Sequence, residues 1–201
     1  MSKNTRNRIL LTALAALLLV TLTIGGTMAW LVDDSEIVTN TFTPSDIEIT
    51  LTETVPENRT AKMVPGATIA KDPTVTVQSG SEPCFVFVKM TKENDFDTYM
   101  TANINAANWE AVAGHNGWYV YKTADNNPAV VNALNENQPL PSVLTNVTVN
   151  EDVTKEQMEA VEAGSEPKLN FIAYAVQAYE DGTTTEFTVA EAFGKIPASA
   201  Q

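Results

Sequence analysis

The chain has 201 residues with 12 Lys and Arg against 25 Asp and Glu, one His and one Cys, for a formal net charge of −13. That length suits one domain, or two at most, and so acidic a chain repels phosphate backbones, which excludes nucleic acid as a partner. A lone Cys forms no intramolecular disulfide, and one Cys with one His falls short of a zinc ligand set, while 44% hydrophobic residues supply a core.

Lys3, Arg6 and Arg8 precede 24 uncharged residues, 9–32, densest in Leu and Ala up to Val20 and followed by Gly25, Gly26, Thr27, Met28 and Ala29. A basic start, an apolar centre and a small-residue exit are the layout of a helical secretory signal peptide, 1–29, cut between Ala29 and Trp30. An uncleaved anchor is the rival, since the stretch is long enough to span a bilayer. Cutting removes three basic residues and no acid, leaving nine against 25 and a net charge of −16.

Residues 30–43 then form an N-terminal arm with Trp30, Leu31, Val32, Ile37, Val38 and Phe42, and no evident turn pairs it to the alternating segment at 47–51. Such an arm either frays, joins its own sheet, or is donated to a neighbouring copy, where main-chain hydrogen bonds satisfy an open sheet edge. Repeated head to tail, that contact builds a filament.

From residue 44 to 201 the pattern predicts a mainly β domain, an antiparallel β-sandwich with short inserted helices. Ile47, Ile49 and Leu51 alternate with Glu48, Thr50 and Thr52, a strand with one wet face. Val64, Pro65 and Gly66 signal a turn, and Val75 and Val77 alternate with Thr74 and Thr76. Residues 84–90, apolar on both faces, predict a central strand. The spacing of Phe96, Tyr99 and Met100 predicts a helix within 94–107, capped by Asn94 or Asp95. Trp109 to Val112 and Trp118 to Tyr121 flank Gly114, His115, Asn116 and Gly117, the pattern of a tight hairpin.

Residues 123–141, rich in Asn and Pro, read as a long surface loop. A strand comes next at 143–149, and Thr154 with Gln157 has the spacing of a capping box, opening a helix that ends near Gly164. Residues 169–179 predict the strongest strand, with a centre buried on both sides, and 188–193 a closing helix.

No catalytic residue, metal ligand or cofactor site emerges. His115 sits at a hairpin tip without an orienting carboxylate, and Cys84 reads as a small buried hydrophobe. No hydrolase, nucleotide or zinc-peptidase motif occurs in the exported part. The acidic pairs 33–34, 151–152 and 180–181 do not fit a calcium loop and read as solvated surface, with weak calcium binding as the alternative. Trp109, Trp118, Tyr119 and Tyr121 could line an aromatic face or simply pack into the core.

The stretch 23–33 (TIGGTMAWLVD), then Asn40, Thr41, Phe42 and Thr43 and the strand after them, resembles the signal and first strand of the TasA/camelysin (CalY) family, exported through a SipW-type signal peptidase. Val64, Pro65 and Gly66 leading to Lys71, Asp72 and Pro73, then 83–86 and 171–178, are similar to it as well, so the resemblance spans nearly the whole chain. It implies a jelly-roll or Ig-like sandwich and a cell-surface or extracellular location. It also implies biofilm-matrix fibres or pilus-like filaments built from copies of this chain through donor strands, here 30–42, with an accessory anchoring protein as a further partner. The family also carries a metallopeptidase label through camelysin; no residue here maps onto such a site.

Overall fold

A computed structural model describes residues 3–5, 7, 46–53, 62–125, 128–180 and 184–201. The chain divides into two compact units, 1–43 and 44–201. In the first, residues 3–5 and 7 are helical; the expected cleavage residues Ala29 and Trp30 and the whole expected arm, Leu31, Val32, Ile37, Val38 and Phe42 included, lie outside the described residues. Among the described residues no helix is long and apolar enough to cross a membrane.

The second unit is mainly β, and among the described residues all its pairings are antiparallel. β1 (Ile49–Thr52), β3 (Thr74–Val77) and β9 (Gln138–Pro139) form one sheet in the order β1-β3-β9. β2 (Thr68–Ile69), β10 (Leu144–Val149) and β5 (Met100–Ile104) form a second, in the order β2-β10-β5. The third runs β11 (Lys168–Gln177), β4 (Ser81–Glu93), β7 (Trp118–Tyr121), β6 (Trp109–Ala111), with β8 (Val131–Ala133) also on β4.

β4 is apolar on both faces because it is flanked on both edges and covered on both sides. Val86 and Val88 point one way, into a core with Val75, Val77, Trp109 and Val143. Phe85 and Phe87 point the other way, into a separate core with Trp118, Val120, Phe193 and Ile196. A third cluster, around Met90, Met100, Leu144 and Val147, fills the space beside the second sheet. The chain's last segment, with α3 (Val189–Phe193), therefore covers the outer face of the third sheet. Thr188 starts α3 with a capping box: its hydroxyl accepts from the Glu191 amide at 3.3 Å, and the Glu191 carboxylate accepts from the Thr188 amide at 2.9 Å. The Lys89 ammonium, on that same outer face, donates to the Ala200 carbonyl at 2.6 Å.

Three expectations need correction. The helix within 94–107 is a single turn, α1 (Phe96–Tyr99), entered through two left-handed residues, Asn94 (φ 56) and Asp95 (φ 53), whose side chains tolerate that region. Met100, Ala102 and Ile104 then alternate inward as β5, since the cross-strand register with β10 outweighs the local helical spacing. Residues 123–141 are not one loop, because β8 pairs with β4 and β9 with β3; Val131 and Ala133 alternate inward around Asn132. The strand at 169–179, seen as β11, has no fully buried residue within it, because it lies at a sheet edge.

The remaining elements match the sequence pattern, except that the helix expected to end near Gly164 stops at Glu159 with Ala160 as its cap. β1 has Ile49 and Leu51 half-buried and Thr50 and Thr52 exposed. α2 (Lys155–Glu159) begins with the Thr154–Gln157 capping box and ends well before Gly164. The β6–β7 hairpin turns through Gly114 (φ 80) and Gly117 (φ 77).

Candidate functional site

His115 is exposed at the tip of the β6–β7 hairpin, its ring 4.2 Å from that of Phe193, and its imidazole hydrogen-bonds to none of the described residues. Its ring therefore has a packing contact and no orienting carboxylate. Cys84 is fully buried in the first core, and burial pushes its thiol pKa up from 9.0 to about 12; a neutral, enclosed thiol is a poor nucleophile. Among the described residues no three His, Cys, Asp or Glu side chains converge on a metal position.

The hairpin aromatics do not form one binding face. Trp109 is 1% exposed and points into the first core, where its indole donates to the Pro141 carbonyl at 3.0 Å. Trp118 is 2% exposed in the opposite core. Tyr119 and Tyr121 are half-buried on the Trp109 side. Strand alternation sends neighbouring aromatics to opposite faces, so the cluster in sequence is split in space.

What the fold leaves open is an edge. β11 is paired with β4 over ten consecutive residues, from Lys168 opposite Glu93 to Gln177 opposite Cys84. Its other edge has no strand partner among the described residues, and β1 is likewise paired only with β3. A strand of ten residues with one unpaired side presents a row of amide and carbonyl groups that pairs readily with another chain. On its inner face Phe171, Ala173 and Ala175 are half-buried against the first core, together with Ile49 and Leu51 of β1. On its outer face Ile172 is 51% exposed, one of the few large apolar side chains at the surface among the described residues.

Where the ends of β1 and β11 separate, a groove of about 840 Å³ opens, lined by Leu51, Ile69, Phe96, Met100, Leu169 and Phe171 among others. That volume is within the range of small-molecule pockets, ~300–1,000 Å³. Lys168 lies on its wall beside an ion pair between Lys71 and Glu53 at 3.4 Å. The sequence pattern gave no sign of this site, since an apolar run identifies a strand without saying which of its edges is paired. Comparison with protein-family models, curated proteins and solved structures returns no match for this chain.

Proposed function

We propose that this protein is a secreted structural subunit that assembles into extracellular or cell-surface fibres, the arm of one copy adding as a strand to the next. In this reading the 44–201 unit is a β-sandwich of the jelly-roll or Ig-like kind, the segment 1–29 is removed by a SipW-type peptidase, and the partners are further copies of the chain. The observation that carries the proposal is the unpaired ten-residue edge of β11 with its apolar groove. The arm has what such an edge accepts in its apolar side chains, Trp30, Leu31, Val32, Ile37, Val38 and Phe42; the groove's charged lining is balanced, Lys71 and Lys168 against Glu53 and Glu166. Main-chain hydrogen bonds would supply affinity, and alternate side chains the fit. The resemblance to TasA and camelysin points the same way.

Negative-stain electron microscopy of the exported protein, incubated as purified monomer at neutral and mildly acidic pH, should show regular filaments. A variant lacking residues 30–42 should remain a folded monomer; filaments that persist without the arm would overturn the proposal. The acceptor edge has its own test in Ile172→Lys. A lysine on an exposed edge position leaves folding within about ±0.5 kcal/mol but opposes strand addition, so assembly should be lost or strongly slowed. Unchanged filament growth in Ile172→Lys would place the acceptor elsewhere than β11.

A further inference from the structure

We propose that Asn116 is a deamidation site built into the fold. Asn116 and Gly117 are the one Asn–Gly pair in the sequence, and they occupy the exposed tip of the β6–β7 hairpin. The reaction needs the backbone nitrogen of the next residue to reach the asparagine side-chain carbon, and glycine, without a Cβ, hinders that approach least.

Both reacting groups are free. The Asn116 amide makes no hydrogen bond to the described residues, and the Gly117 amide N–H donates to none of them. Other asparagines are held: Asn103 donates to Asn146 at 2.7 Å and to Thr148 at 3.1 Å, and Asn105 to the Ser142 carbonyl at 3.0 Å. They are also succeeded by side chains, Ile104 and Ala106, that crowd the attack.

The fold cannot relieve this at residue 117. Gly117 has φ 77, and a Cβ there would meet the Met90 carbonyl oxygen at 2.6 Å; that glycine carbonyl in turn accepts the Met90 amide at 2.8 Å. The close approach of the hairpin to β4 thus fixes glycine behind Asn116.

Chemically, the Gly117 nitrogen loses its proton and attacks the Asn116 side-chain carbonyl carbon; a C–N bond forms and ammonia leaves, giving a cyclic imide. Water then opens either imide carbonyl, yielding aspartate or isoaspartate, with no change in oxidation state. Each event adds one negative charge to an already acidic surface. The isoaspartate route also lengthens the main chain just before Trp118, whose amide closes the turn on the His115 carbonyl at 3.3 Å.

The full chain, kept folded in mildly alkaline buffer, is sampled over time and mapped by peptide mass spectrometry with detection of isoaspartate. The expected result is conversion at position 116 ahead of every other asparagine, and its complete loss in Asn116→Gln, whose longer side chain cyclises far more slowly. Earlier conversion at another asparagine, or an Asn116 that stays amide in the folded chain while converting in the denatured one, would overturn the proposal.

Discussion

Phe193→Ala is expected to lower the stability of the protein by about 3–5 kcal/mol, the range for removing a buried aromatic ring. Phe193 is 3% exposed and sits edge-on to two rings of the third sheet, Phe87 at 5.6 Å and Trp118 at 5.0 Å, with the His115 ring 4.2 Å away. Its helix is only five residues long, far below the length that stands alone in water. Tertiary packing must therefore hold α3, and Phe193 is its largest apolar contact. Losing the ring opens a cavity over Phe87 and loosens a segment whose other anchors include Ile196, Ala192, Val189 and the Lys89 bond to Ala200. Urea unfolding monitored by tryptophan fluorescence measures it, because Trp118 lies under the ring. A loss below about 1 kcal/mol would mean that the segment is an appendage, and that the outer face of β4 does not need its cover.

That second core marks where the sequence stopped being legible. Alternation in 47–51, at Val75 and Val77, and in 143–149 reads directly as strands because period two is a property of each segment alone. The hairpin at Gly114 and Gly117 and the capping box at Thr154 are equally local, since a positive φ or a hydroxyl three residues before an acceptor leaves its mark in a few residues. Neighbour relations are not local. Residues 171–176 are apolar whether they lie mid-sheet or at an edge, and only the arrangement of β1 and β11 shows that one side is unpaired among the described residues. Val131 and Ala133 are too few to announce β8 among the Asn and Pro around them; they become a strand because β4 offers an edge to pair with. An apolar run such as 30–42 is legible in sequence, while the edge proposed to receive it shows only in the fold.

The second large effect is alkaline. Cys84 is enclosed between Val86, Val75 and their neighbours in the first core, where a thiolate would lose its hydration without gaining a cation. The core accepts only the protonated form. In the unfolded chain the thiol ionises near 9.0, in the folded chain near 12, so between those values the unfolded state binds fewer protons. Stability from this group is full below pH 9 and declines as pH rises toward 12, by up to about 4 kcal/mol over the window at ~1.4 kcal/mol per unit. Burial also raises the phenol pKa of Tyr119, against an opposing pull from Lys92, and that of Tyr121, so both act in the same direction as Cys84. Cys84→Ala isolates the thiol: it should cost about 1 kcal/mol at neutral pH for the lost sulfur and then fall less steeply above pH 9 than the parent, with the tyrosine contribution remaining. Denaturant midpoints measured for both proteins from pH 7 upward decide it. Parallel curves would mean that the folded core opens enough to hydrate a thiolate; a shallower curve for Cys84→Ala, with the parent's thiol inert to alkylation until it unfolds, assigns the difference between the two curves to one sulfur atom on the central strand.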